Sequence, residues 1–232
     1  MTAPLREFAP GLWVGDGPVV PFIAGFAYPT RMVVIKLTDS RLFIWSPIAL
    51  TPELKARIDA LGEVACLVSP NLLHHLYLGD WKAAYPSAPM FASPGLKSRR
   101  KDLVFDAELT DEPDPLWADD IDQVLLRGSF VMTEAVFFHR ASGTAIFADL
   151  IENFPPDWFA GWRGWVAKLD GIVAPDFGAP REWRASFLRR KRARAALRRI
   201  FDWPIEKVVI AHGGCAEKDG AAFVRRAFAW LM

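Results

Sequence analysis

Only four histidines occur in this 232-residue chain, and two of them, His74 and His75, are adjacent at the end of the run Ser69-Pro70-Asn71-Leu72-Leu73-His74-His75. Neutral imidazole is a common metal ligand and suits zinc and iron alike. Neighbouring side chains within a strand point to opposite faces, whereas the turn entering a helix can aim both at one point. A pair at such a turn is therefore expected to share one ion; the alternative is one capping histidine and one solvated. Two further positions close strands, where open α/β sheets gather their ligands. Asp149 follows the apolar stretch 145–148, and His212 follows 208–211, with Gly213-Gly214 allowing the backbone to turn sharply. A carboxylate and a third histidine are thus available to join the pair.

The elements that would place these residues follow from periodicity and punctuation. Residues 64–68 form an apolar run that reads as a buried strand, and 76–85 read as a helix closed by Pro86. An internal echo links 32–46 with 135–149: each reads as a β-hairpin, with Asp39-Ser40 and Ser142-Gly143 in matching turn positions. The fold is thus expected to contain two related halves. A two-residue turn at Ser142-Gly143 pairs position 136 with 149 and sets Glu134 further along the same face, a candidate catalytic base; the alternative is an ordinary surface carboxylate. His139 then lies near the turn, about 10 Å along the strand from Asp149, and reads as structural or solvated.

Thr51-Pro52-Glu53 announces a helix that ends at Leu61-Gly62. After the second hairpin come a tryptophan-rich stretch at 158–169, a basic helix at 181–200, a strand at 207–211 and a last helix from Gly220. Strand pairs alternating with helices predict an α/β fold of sheets between helical layers. Trp158, Trp162 and Trp165 recur at helical spacing and read as core. In the basic helix, Trp183, Phe187, Leu188, Ala195 and Leu197 are expected to anchor a solvated face of arginines; the alternative is contact with phosphates or an acidic partner.

With 52% hydrophobic residues and no low-complexity linker, the chain 1–232 reads as one domain. A net charge of +1 argues against a dedicated nucleic-acid binder. Cys66 and Cys215 make neither a zinc-ribbon spacing nor a disulfide framework, so a reducing cytoplasm is the expected compartment, and Cys215 reads as a small buried residue outside the site. The segment from Met1 to Glu7 lacks an apolar signal core, and the longest apolar stretch, 19–28, is too short and interrupted to span a bilayer.

Ala148-Asp149-Leu150 and Ile210-Ala211-His212-Gly213-Gly214 resemble the late metal-binding motifs of the metallo-β-lactamase superfamily. Arg31-Met32, Trp45-Ser46-Pro47, Pro70-Asn71 and Pro94-Gly95-Leu96 are similar to an uncharacterised branch of it, a domain of unknown function. The resemblance covers nearly the whole chain and implies a four-layer αββα sandwich. The superfamily's early motif, His-x-His-x-Asp-His, sets Pro70 and Leu72 at its first two histidines, His74 at the aspartate and His75 at the last histidine. Arg127-Gly128-Ser129-Phe130, where another histidine of the first metal site belongs, has none. The resemblance therefore implies a degenerate site: the first metal position lost, and the second held by His74, His75, Asp149 and His212. It implies one zinc, iron or manganese ion, or no metal at all. The activity implied is hydrolysis of an unidentified small-molecule substrate, and the alternative is a noncatalytic binding or scaffold protein that has lost its metal. Leu72 or Phe130 plugging the site would favour that alternative.

Overall fold

In the computed structural model, residues 5–232 are described; Met1 to Pro4, the start of the segment read for an export signal, lie outside them. Alternating side chains build the architecture. In the strands β1 (Arg6–Ala9), β2 (Leu12–Pro21), β3 (Ala27–Lys36), β4 (Leu42–Trp45), β5 (Val64–Val68), β6 (Met90–Ala92) and β7 (Ala107–Glu108), pairing runs in sequence order across one sheet. A second sheet has the order β11 (Lys207–Gly213), β10 (Thr144–Asn153), β9 (Glu134–His139), β8 (Ile121–Leu126). Val33, Ile35, Phe43, Trp45, Cys66 and Val68 of the first sheet meet Ile121, Leu125, Phe137, Ile146, Ala148 and Val209 of the second in a shared apolar layer. Their sequence neighbours face outward, because successive strand side chains alternate.

Those outward faces are covered by helices. Met32, Val34, Ile44 and Leu67 pack under α1 (Pro52–Leu61), α2 (Leu78–Ala84) and α3 (Leu96–Arg99) through Leu54, Ile58, Leu78, Trp81 and Leu96. Phe138, Phe147, Val208 and Ile210 pack under α5 (Arg181–Ser186), α6 (Arg190–Phe201) and α7 (Gly220–Ala227). The result is the αββα sandwich expected above. At one end a smaller aromatic cluster of Phe154 and Phe159, backed by Phe26 and Tyr28, packs against Ala167 of α4 (Gly161–Asp170).

The halves echo each other. β3 and β4 pair antiparallel and β4 continues parallel to β5; β9 and β10 pair antiparallel and β10 continues parallel to β11. Thr51 caps α1, its hydroxyl accepting the Leu54 N–H at 3.2 Å, and Gly62 ends the helix. Several boundaries differ from the expectation. The second hairpin turns through a 3-10 turn, Arg140–Ser142, so His139 pairs with Thr144; the same register carried along the strands sets Glu134, not residue 136, opposite Asp149. Ser142 favours this longer turn, its hydroxyl meeting His139 Nδ1 and Thr144 Oγ1 at 2.8 Å each.

The basic stretch breaks into α5 and α6 at 187–189, with Trp183 and Phe187 buried but Leu188 and Ala195 exposed; Ala193, Ala196, Leu197 and Ile200 make the buried stripe of α6. Trp158, Trp162 and Trp165, expected in the core, are exposed. No helix among the described residues is long and apolar enough to cross a membrane. Phe137 lies fully buried between the sheets, its ring 5.4 Å from that of Phe43. Phe137→Ala is expected to lower unfolding free energy by about 3 to 5 kcal/mol, read as a shifted urea midpoint at unchanged slope.

Candidate functional site

β4, β5, β10 and β11 each deliver one side chain to a single cluster, and β10 does so from its middle, because it runs on past Asp149 to Asn153 where the sequence suggested a strand end. β4 is followed by Ser46, β5 by the turn that carries His74, β10 carries Asp149, and β11 ends with His212. The ligand atoms of His74, Asp149 and His212 all lie within 4.8 Å of one another. His74 Nε2 is 3.2 Å from Asp149 Oδ2, and His212 Nε2 is 2.9 Å from Asp149 Oδ1. The imidazole rings are 5.3 Å apart. Ligands around a tetrahedral ion at ordinary zinc distances stand about 3.3 Å apart, so these side chains need little movement to share one.

The rings are held from behind. His74 Nδ1 meets the Ser46 hydroxyl at 2.7 Å, and His212 Nδ1–H donates to the Pro29 carbonyl at 2.9 Å. Ser46 adopts φ 49°, unusual for a residue with a Cβ, and its N–H donates to Val68. Gly213, at φ +98°, lets the chain leave β11 directly after His212; a Cβ there would overlap the Asn153 carbonyl. Tyr28 meets His212 edge-on at 5.0 Å between ring centroids, and Phe154 stacks on the same ring at 6.3 Å.

His75 does not join the cluster. Residues 71–77 form a succession of turns before α2 begins at Leu78, and consecutive side chains diverge along it. His74 turns inward beside Trp45, whereas His75 turns toward α3, its Nδ1 accepting from Arg100 Nη1 at 2.8 Å and its carbonyl from the same nitrogen at 3.0 Å. Burial and the Arg100 guanidinium push its imidazole pKa down. The expected four-residue donor set is therefore three in the structure.

Glu134 lies beneath the cluster and is fully buried. Its carboxylate accepts the N–H groups of Ala148, Asp149 and Leu150 at 2.9, 2.8 and 3.3 Å, and the Asn71 side-chain amide at 3.1 Å. With four N–H donors on it, Glu134 ties β9 to β10 beneath Asp149 and is not the surface carboxylate of the alternative reading. Burial and the neighbouring Asp149 charge push it up to about 7, against the pull of those donors. Asn71 is the bridge: the same amide donates to Asp149 Oδ2 at 2.6 Å, while its oxygen accepts from Leu73 and His74. Burial opposes the Asp149 charge, but the two histidines outweigh it and hold the carboxyl far below its usual range. On His74 burial works against a proton and the Asp149 charge prevails, raising it; on His212 burial prevails and lowers it.

Neither suspected plug fills the site. Phe130 is 74% exposed, and Leu72 packs outward among the residues under α2 and α3. His139 is bonded to Ser142, and Cys215 accepts from Arg31 Nη1 at 3.2 Å, so both stay outside the cluster. Sequence reasoning passed over Asn71, Ser46, Tyr28 and Glu152. Ser46 and Asn71 lie in the short motifs that carried the family resemblance, yet their types announce no role. Tyr28 and Glu152 are joined across 124 positions of chain by a 3.1 Å hydrogen bond from the tyrosine hydroxyl, a contact with no local signature.

Residues 22–163 match the model of a domain of unknown function, DUF4336. No curated protein matches the sequence. Among solved structures, the DIM-1 metallo-β-lactamase exposed to ceftazidime is 14% identical with a TM-score of 0.67, covering 98% of this chain and 95% of its own. A metallo-β-lactamase from Pontibacter korlensis is 12% identical with a TM-score of 0.63, covering 95% and 96%. The FIM-1 metallo-β-lactamase from Pseudomonas aeruginosa, in a mono-zinc form, is 11% identical with a TM-score of 0.62, covering 99% and 96%. The αββα sandwich is thus the metallo-β-lactamase fold over nearly the full chain.

Glu152 is buried near His212, and burial followed by the Asp149 charge raises its carboxyl well above the ordinary value. A raised carboxyl favours the protonated form in the fold, so its contribution to stability is complete below the unfolded value near ~4.3 and is lost as pH rises toward the folded one. Glu152→Gln keeps an acceptor for Tyr28 and removes the titration. The unfolding free energy of the native chain is expected to fall more steeply than that of the variant as pH rises above ~4.5; parallel profiles in urea titrations at stepped pH would contradict this.

Proposed function

We propose that this chain, which belongs to the DUF4336 family, is a metal-dependent hydrolase of a small substrate that holds one ion on His74, Asp149 and His212. The observation that carries the proposal is the hydrogen bonding of His212. The Pro29 carbonyl can only accept, so Nδ1 bears the ring proton, and the neutral ring then turns the Nε2 lone pair toward Asp149 Oδ1 at 2.9 Å. Two electron pairs at that distance repel unless a proton or a cation lies between them. A zinc, iron or manganese ion fits this donor set of two imidazoles and a carboxylate. The carbonyl contact to Nδ1 is also the kind of support that ligating histidines receive from behind. A relative of the same fold is described in a mono-zinc form, so a single ion suffices to occupy such a site in that protein.

What an ion supplies when bound is Lewis acidity toward a carbonyl or phosphoryl group and a more acidic water. The chain's own residues do the rest. Asn71 and Ser46 fix the Asp149 carboxylate and the His74 ring, Tyr28 and Phe154 shield His212 from solvent, and the Tyr28 hydroxyl donates to Glu152. The competing reading, a noncatalytic binding or scaffold protein, draws on the burial of the cluster: with a second proton on His212, the polar atoms of His74, Asp149 and His212 all have partners.

Calorimetric titration of chelator-treated protein separates the two. About one equivalent of zinc, iron or manganese is expected to bind, with affinity falling more than ~100-fold in Asp149→Asn and His212→Ala, and about 10- to 100-fold in Ser46→Ala, which acts from behind the ligand. His75→Ala is expected to bind like the native chain. Absence of binding for all three ions to folded protein would sink the hydrolase reading; binding followed by metal-dependent turnover in a panel of esters, lactones and phosphodiesters would support it.

A further inference from the structure

The helix α4 inverts the usual amphipathic arrangement. Trp162, Trp165, Val166 and Leu169 recur at the i, i+3, i+4, i+7 spacing that normally faces a core, yet all four are exposed, Trp165 by 70%, and Ala167 on the opposite side is the residue buried against the protein. The apolar face continues onto the tip of the β2–β3 hairpin, where Phe22 is exposed and Ile23 is 73% exposed. Hairpin and helix are tied together: Arg163 Nε donates to the Ala24 carbonyl at 2.9 Å, Trp158 Nε1 to the Ala27 carbonyl at 2.9 Å, and the Phe26 and Trp162 rings meet edge-on at 5.9 Å. Soluble proteins seldom leave so contiguous an apolar patch in water.

Charge beside the patch says what covers it. On the helical wheel Lys168 flanks Trp165, and it is one wall of a cavity of about 340 Å³ lined also by Arg181, Arg184, Arg226 and Asp176. Four cations thus face one carboxylate. Among the described residues none of those three arginines makes an ion pair; Arg184 and Arg226 donate to the Ala179 and Pro175 carbonyls and lie over the Trp230 and Phe177 rings. The cavity lining is therefore cationic, with Asp170 at its border accepting the Arg181 N–H at 2.9 Å. Tryptophan, with an apolar body and one N–H, favours the level of lipid headgroups, and cations there attract anionic lipid.

We propose that α4, the β2–β3 hairpin tip and the Lys168–Arg181–Arg184–Arg226 pocket form a docking surface for an anionic bilayer, the apolar stripe entering the interface and the pocket taking a phosphate headgroup. The richer cationic helix, α6, lacks the second half of this pairing, because Ala193, Leu197 and Ile200 are buried against the sheet. The surface stands one aromatic layer from the histidine cluster, since Phe159 touches both Phe26 and Phe154, and Phe154 stacks on His212. Docking does not depend on whether that cluster holds metal.

Co-sedimentation of the full chain with vesicles of phosphatidylcholine alone, and of phosphatidylcholine mixed with phosphatidylglycerol, tests it. Binding to the mixed vesicles is expected, weakening as salt is raised, with none to the neutral ones. The Trp162→Ser/Trp165→Ser variant and the Arg181→Gln/Arg226→Gln variant are each expected to bind at least ~tenfold more weakly. Arg190→Gln/Lys191→Gln on α6 is expected to bind as the native chain does. These substitutions lie on exposed positions, and an unchanged melting temperature shows that the fold is kept. Three results would overturn the proposal: no vesicle binding; capture of inorganic phosphate or glycerol phosphate without vesicle binding, which makes the pocket a site for soluble anions; or self-association abolished by the tryptophan variant without vesicle binding, which makes the face a contact between copies.

Discussion

Two carboxylates, Glu134 and Asp149, lie buried side by side at one end of this molecule, and much of the local structure answers the cost of putting them there. A buried charge without partners costs several kcal/mol, so every nearby donor is recruited. Glu134 takes three successive amides of β10, which bends at that point and changes register with β11. Asn71 joins the two carboxylates through one amide nitrogen and, through its oxygen, holds the turn that presents His74. Asp149 is left facing two imidazoles, each fixed by an acceptor or hydroxyl on its far side. The geometry of His74, Asp149 and His212 is in this sense a consequence of charge compensation within the sheet.

At the same end of the sandwich, Pro70 and Leu72 carry no metal-ligating side chain. Where the superfamily motif has its first two histidines, Pro70 uses its carbonyl to accept from Ala135, and Leu72 packs among the apolar residues under α2 and α3. Those positions serve the sheet and the core. Aromatic rings wall the retained cluster: Tyr28 and Phe154 cover His212, and Phe159 connects them to the hairpin tip and α4.

Much of this was legible in the residues. The strands within 32–46, the buried strand at 64–68, the capped helix from Thr51 to Gly62 and the availability of Asp149 and His212 to His74 follow from local rules of composition, capping and turn chemistry, and all appear in the structure, although β10 runs on past Asp149 to Asn153. The four-layer fold was legible too, through the short motifs that resemble a known superfamily. His75 was misread because adjacency says nothing of direction once a helix start is replaced by a run of turns, and because Arg100, 25 residues away, offers it a better partner.

The amino-acid sequence by itself determined which segments are strands, where the chain must turn and which ligand-type residues lie on the strands or in the turns after them, since these depend on a residue and its near neighbours. Only the tertiary structure decided what those residues face. The longer turn at 140–142 moved the hairpin register and set Glu134 against β10. The break at 187–189 exposed Leu188, and the seating of α4 on the Phe154 and Phe159 cluster through Ala167 left its tryptophans outside. Direction, register and exposure are settled by competition among contacts distant in the chain, and no local pattern carries the outcome of that competition.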